Sequence, residues 1–305
     1  AWDAHKARRG RVGVVGGIAG MAGATILAAR GALQVGAGLV HTFVDAPSIV
    51  PLQIAVPQAI AHHWPAARDT SPDDATDVLP ALDALVIGPG LGRTRHTARL
   101  VESLMRAVEH ADAAAALVLD ADALYLVTEV AATLGTDPAA LLRHWTRPAV
   151  QRGLAVVCTP HPGEFARLLG TPLPAAWDER AESLRTFAAR AGVTVLLKGA
   201  PTLVSDGHDI VAAPYGTALL ATGGSGDVLA GIIGTLVAQG AHGMDAALLG
   251  AALHGRAAEI ITAQRRGVRG AMLDDVLHAL PAALEWLTTA DAVHPGLLAD
   301  LPAVC

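Results

Sequence analysis

The chain has 305 residues, 22 basic and 28 acidic side chains for a net charge of −6, and is 52% hydrophobic but only 3% aromatic. It is long enough to bury a substantial core, which aliphatic side chains must fill. No lysine/arginine run creates long-range attraction for nucleic acid or an anionic membrane. Cys158 and Cys305 lack CxxC spacing, which leaves neither a disulfide framework nor a zinc site and points to a reducing cytoplasm.

In chain order, Lys6, Arg8, Arg9 and Arg11 precede the apolar run 12–29, the charge order of a secretory leader. Gly13, Gly16, Gly17, Gly20 and Gly23 would weaken a leader helix, whereas strand, glycine loop and helix fit the run. Strands are predicted over 11–16, 39–44, 84–88, 116–120, 154–159 and 193–199, most followed by a helical pattern. Segments 201–207 and 208–214 read as a hairpin linked through Gly207 and His208. In the helix that follows, Val228, Leu229, Ile232, Ile233, Leu236 and Val237 form an apolar stripe, and further helices begin near Asp245 and Leu273. Segments 69–80 and 135–148 are expected to be loops or insertions, and the tail after Asp291 loose. The pattern is α/β: a single domain over 1–305, core about 10–290, with a mostly parallel sheet between helical layers. No other stretch reaches spanning length without glycine, proline or charge. The chain starts at Ala1 without methionine, as a piece of a longer polypeptide would.

Ligands of open α/β sheets gather beyond the carboxyl ends of the strands. Here those ends carry GGIAGMAGA, GPGLG, DADAL, TPHPGE and KGAPT. The P-loop, the GxGxxG dinucleotide fingerprint, the GxSxG elbow and HExxH are all missing from the sequence. ATGGSGDVLAG opens an apolar helix with Gly223, Gly224, Ser225 and Gly226 before Asp227, an anion-binding arrangement with a carboxylate inside it. Either Asp227 merely occupies an acid-favouring first turn, or phosphate and carboxylate have separate tasks in one reaction. His161 reads as a helix-entry residue or a ligand contact, and Lys198 as the partner of a sheet-end carboxylate or of a phosphate. Asp120 and Asp122 read as turn formers rather than catalytic groups, and His62, His63, His254 and His278 as surface or core.

ATGGSGDVLAG, with TPHPGE, KGAPTLV, IGPGLG and GAGLV, resembles the ribokinase-like superfamily and, within it, the ADP-dependent (S)-NAD(P)H-hydrate dehydratases. The resemblance runs from about Gly10 to about His278 and implies a three-layer ribokinase-like fold. It implies a lyase of nicotinamide nucleotide repair: ADP or ATP phosphorylates the hydroxyl of hydrated NADH or NADPH, and loss of phosphate regenerates the cofactor. Nucleotide contacts would fall on Lys198, Gly199, Ala200, Pro201 and Thr202 and on Gly223 to Gly226. The hydrate would meet Ala24, Gly92, His161 and Asp227, the last as general base with an ordinary carboxylate pKa near 4. The backbone N–H groups of Gly224, Ser225 and Gly226 would hold the transferring phosphoryl oxygens. Glu164 would lie near the nucleotide's Mg2+, acting through water. The family also implies a homotetramer and an epimerase as partner or fused domain.

Two rivals share the glycine loop: a ribokinase-like kinase for a vitamin precursor such as hydroxyethylthiazole, and a nucleotide-binding module that has lost turnover. Departures from the family pattern are PYGTA before the loop, where asparagine and proline are usual near Thr217 and Ala218, Gln58 in place of an acidic group, and a longer segment at 128–152.

Overall fold

In a computed structural model that describes residues 9–63, 82–110, 115–288 and 299–300, β-branched runs and alanine/leucine-rich segments alternate along the chain. The first half runs β1 (Arg11–Val15), α1 (Ala22–Gln34), β2 (Leu39–Val44), α2 (Ala46–Ala55), β3 (Ile60–His63), β4 (Ala84–Ile87), α3 (Arg95–His110) and β5 (Ala116–Leu119). Then come α4 (Asp122–Leu134), α5 (Pro138–Gln151), β6 (Val156–Cys158), α6 (Pro162–Leu169), α7 (Trp177–Ala191), β7 (Thr194–Leu197), β8 (Thr202–Ser205) and β9 (Ile210–Ala213). Helices α8 (Ser225–Ala238), α9 (Gly243–Arg265) and α10 (Leu273–Thr288) close the fold, with a two-residue strand β10 (Ala299–Asp300). The sheet order is β10-β9-β8-β7-β6-β5-β4-β1-β2-β3. Strands β1 to β7 pair in parallel, and β8 and β9 add an antiparallel hairpin.

Strand residues alternate between the two faces, so each strand feeds two cores. Leu85, Ile87, Leu117, Leu119, Cys158, Val195 and Leu197 pack with helices α3 to α7. Val12, Val14, Ala84, Val86, Val118 and Leu196 pack with α1, α2, α8 and α9. This is the expected three-layer α/β architecture. Among the described residues no helix is long and apolar enough to cross a membrane.

Helix α8 reaches the centre of the sheet because glycines remove the side chains that would hold it off. A Cβ on Gly231 would lie 1.9 Å from the Ala28 carbonyl oxygen of α1, and one on Gly234 would lie 2.4 Å from Val86 of β4. Of its apolar stripe, Val228, Leu229, Ile232, Ile233 and Val237 are buried. Packing therefore aims the amino terminus of α8 at the carboxyl ends of the central strands.

Several expectations need correction. The segment 135–148 is mostly helix: Asp137 accepts hydrogen bonds from Ala139 N and Ala140 N at 2.9 and 3.1 Å and caps α5. Its helical periodicity was obscured by Pro138 and Pro148, yet proline suits the first helical turn. The hairpin link spans four residues rather than two, because Asp206 accepts from His208 N and Asp209 N and turns the chain. Strand β3 has no counterpart among the sequence-predicted strands; it is a four-residue edge strand with two histidines, too short for a clear alternation. The segment 69–80 lies outside the described residues, and so does the tail after Asp291 apart from β10.

Candidate active site

The first turn of α8 supplies an acid and unpaired donors at one place. Gly224 adopts φ 91° and is the N-cap, with no side chain capping the helix, so the opening N–H groups lack intrahelical acceptors. A left-handed backbone at this point favours glycine. Gly223 is exposed, and Gly224 and Gly226 are half-buried. Ser225 departs from its expected role: its N–H donates to the Thr222 carbonyl at 3.2 Å, and its hydroxyl lies 3.5 Å from His254 Nε2 in the interior. Ser225 thus belongs to the inner wall of the loop, and Gly226 and Asp227 present its open donors. Burial lowers the His254 pKa to about 4, with the Lys198 charge adding to the effect, so this inner wall is neutral.

The strands deliver the complementary groups. Lys198 follows β7, and its peptide N–H bonds to the Pro160 carbonyl at 2.9 Å, tying the KGAPT turn to TPHPGE. The Lys198 Nζ donates to Asp120 Oδ1 at 2.8 Å, and Thr159 Oγ1 donates to the same oxygen at 2.8 Å. Asp120 is 1% exposed, so the strand-end acid read as a turn former is the buried counter-ion of the lysine. Nothing in the sequence distinguishes Asp120 from an ordinary turn aspartate; the pairing needs β5, β6 and β7 side by side. Burial opposes the lysine's charge, but Asp120, Glu164 and Asp227 outweigh it and its pKa is raised. A Cβ on Gly226 would lie 3.0 Å from this Nζ, which places the α8 turn against the lysine.

Asp227 does not have the ordinary pKa expected. Burial and the neighbouring Asp120 push it up to about 7, against the opposing pull of Lys198. Desolvation plus like charge is a functional-site signature. A group poised near neutrality accepts a proton more effectively than one at pKa 4.

On the other side, Ala24 stands in the first turn of α1. A Cβ on Gly90 would meet Ala24 Cβ at 3.1 Å, and one on Gly92 would meet Ile18 at 2.5 Å. Gly92 N donates to Asp122 Oδ2 at 2.8 Å, and Arg93 Nε to Asp122 Oδ1 at 2.6 Å, so Asp122 holds the GPGLG turn in place. His161 is the N-cap of α6: its Nδ1 accepts from Gly163 N and Glu164 N at 3.0 and 3.2 Å. Glu164 Oε2 accepts from the His161 N–H at 2.8 Å, completing a reciprocal cap. Since Nδ1 accepts, Nε2 carries the proton and points to Glu164 Oε1 at 3.3 Å. The helix-entry reading of His161 thus holds, while its ring stays 55% exposed and accessible to a ligand.

Residues 12–282 match the model of the family described as NAD(P)H-hydrate dehydratase. The chain belongs to that family. It is 38% identical over 288 residues to a bifunctional NAD(P)H-hydrate repair enzyme of Moorella thermoacetica, covering 92% of this chain and 50% of that protein. It is 38% identical over 263 residues to an ADP-dependent (S)-NAD(P)H-hydrate dehydratase of Neisseria meningitidis, covering 86% and 80%. Among solved structures it resembles the ADP/ATP-dependent NAD(P)H-hydrate dehydratase of Bacillus subtilis co-crystallized with ATP/Mg2+, with a TM-score of 0.72, 25% identity, and coverage of 94% of this chain and 92% of that one. The chain spans about half the length of the bifunctional relative.

Within this NAD(P)H-hydrate dehydratase fold, Glu164 accepts from the His161 N–H through Oε2 and faces the His161 ring through Oε1, which leaves it lone pairs for a water but ties its orientation to the helix cap. Among the described residues no group of three or more histidine, cysteine, aspartate or glutamate side chains could hold a metal ion. The donor set suits a magnesium carried by nucleotide phosphates, which needs few protein ligands, and not one caged by protein alone. Cys158, buried with its pKa pushed up to about 12 by burial, is no nucleophile.

Proposed function

We propose that the chain dehydrates the S epimer of hydrated NADH or NADPH at the expense of ADP, or ATP in its place, releasing AMP and phosphate from ADP. The observation that carries this is Asp227, with its pKa near 7, in the first turn of α8 beside Lys198. Family membership and the ADP dependence in the name of the Neisseria relative support the choice of substrates.

The hydrate's ring would lie between Gly92, the exposed His161 ring, Ala24 and Asp227. Its hydroxyl oxygen attacks the terminal phosphorus of the nucleotide while Asp227 takes the hydroxyl proton, and the bond from that phosphorus to the bridging oxygen breaks. Lys198 and the open N–H groups of Gly226 and Asp227 hold the phosphoryl oxygens as charge builds on them. The phosphate ester then leaves with the C–O electron pair, pushed by the ring nitrogen, and loss of a proton from the adjacent ring carbon restores the double bond. The Gly199–Thr202 turn and Gly223 would line the rest of the nucleotide. Magnesium, brought by the nucleotide, supplies charge neutralisation when bound. The same reading carries a cytoplasmic homotetramer, and it carries an epimerase that supplies the S epimer, a second activity for which the bifunctional names of relatives give support.

Incubation with hydrated NADH and ADP should restore dihydronicotinamide absorbance, with one AMP and one phosphate per cofactor. Accumulation of a stable phosphorylated alcohol would replace this reading with the kinase. Nucleotide binding without turnover would replace it with the silent module.

A further inference from the structure

The crevice is acidic: Asp120, Glu164 and Asp227 act on the charge of a single lysine, Lys198, and Asp122 adds its charge to the field at Asp227. Yet a dinucleotide carries several phosphates that need cations. Two exposed arginines meet beside the GPGLG turn. Arg93, next to Gly92, lies 4.7 Å from the centroid of the Tyr125 ring, and Arg167 of α6 lies 4.9 Å from the same centroid. Tyr125 sits one turn after Asp122 on α4, on the same face of the helix. Three elements therefore converge on one ring beside the residues assigned to the hydrate.

Two guanidinium groups on one ring repel each other, and among the described residues only one has a carboxylate partner. Arg93 is 48% exposed and spends Nε on Asp122. Arg167 is exposed and makes no ion pair among the described residues. A guanidinium held over an aromatic ring with no ion pair of its own has N–H groups to offer in a forked contact to phosphate. Arg167 also lies six residues beyond His161, the N-cap of the same helix, about 9 Å along the axis, a distance that suits the phosphates of a dinucleotide rather than its reacting ring.

We propose that Arg93 and Arg167, carried on the Tyr125 ring, bind the phosphates of the dinucleotide's adenosine half and set the affinity for the hydrate. The inference rests on the dehydratase reading for its ligand. The rival is a structural clamp joining α4 to α6.

The test is Arg167→Ala and Arg167→Lys in the intact chain, because Arg167 is exposed and its removal leaves the Gly92–Asp122–Arg93 network untouched. In Arg167→Ala the KM for hydrated NADPH and the Kd for NADPH should each rise about tenfold, the loss of one charge-assisted contact, with kcat and the KM for ADP within about twofold. Arg167→Lys should recover part of the loss. Hydrated reduced nicotinamide mononucleotide, which lacks the adenosine half, should be indifferent to the substitution. Unchanged affinities with a lowered melting temperature would establish the clamp and overturn the proposal, as would equal losses for mononucleotide and dinucleotide. Wild-type protein that turns over no hydrate would refute the dehydratase reading, while the NADPH titration of wild type against Arg167→Ala would still decide this one; wild type that binds no NADPH would overturn it.

Discussion

Asp227→Asn separates the chemical and the energetic consequences of one half-buried acid. The native pKa is about 7 against an ordinary 3.8, because burial and Asp120 penalise the carboxylate more than Lys198 helps it. A shift of that size corresponds to about 4 kcal/mol, an upper figure because solvent reaches the half-buried group. Between the unfolded and folded pKa values the native state binds more protons than the unfolded state, so stability falls as pH rises through that window and the cost is complete above about pH 7. The asparagine carries no such cost. The variant should match wild type in thermal stability near pH 4 and exceed it at pH 8, by a few degrees if half of the upper figure survives. Its kcat should fall by about a thousandfold, within the range for loss of a general base, with nucleotide affinity retained within a few-fold. In wild type, kcat/KM should rise about tenfold per pH unit up to about pH 7 and then level off. Scanning calorimetry at the two pH values, nucleotide titration and single-turnover kinetics supply the measurements. Turnover near wild type would refute the base assignment, and a variant no more stable than wild type at pH 8 would refute the electrostatic account of the raised pKa.

Lys198→Met should move the acid limb of the rate profile above pH 7, because the lysine is what holds the Asp227 pKa down. It should also cost about 3 kcal/mol in denaturant unfolding by leaving Asp120 buried and unpaired. Gly231→Ala should destabilise by about 2 kcal/mol or more, since its Cβ meets the Ala28 carbonyl oxygen at 1.9 Å and neither backbone can yield without tilting α8. His161→Ala should lose about 1 kcal/mol of capping, visible in the melting temperature, and raise the KM for the hydrate. His161→Asn should restore the cap alone, so an unchanged hydrate KM in both variants would remove the ring from the ligand site.

Sequence pattern and structure agree where the signal is local. Strand β2 has its predicted limits, and the other central strands differ mainly by losing terminal residues to turns. The GGSGD turn before α8 was legible because three glycines, a serine and an acid in front of an apolar stripe have few other uses. Helix α5 was not, since two prolines mask its periodicity. Asp120 and Asp122 look like turn formers in the sequence because their partners lie at Lys198 and Gly92, far away in sequence but brought near by the sheet order. The Arg93–Tyr125–Arg167 cluster has no local signature, as its members come from a loop and two helices.

From the sequence alone follow the alternating layers, the strand ends that carry polar and glycine-rich turns, and the glycine turn with its acid in front of α8; periodicity and turn chemistry depend only on near neighbours. Tertiary structure decided what each charged group is for. Burial and through-space charge exist only once β5, β6, β7 and α8 meet, and they turn Asp227 into a group that titrates near neutrality, Asp120 into the lysine's counter-ion and Glu164 into half of a helix cap.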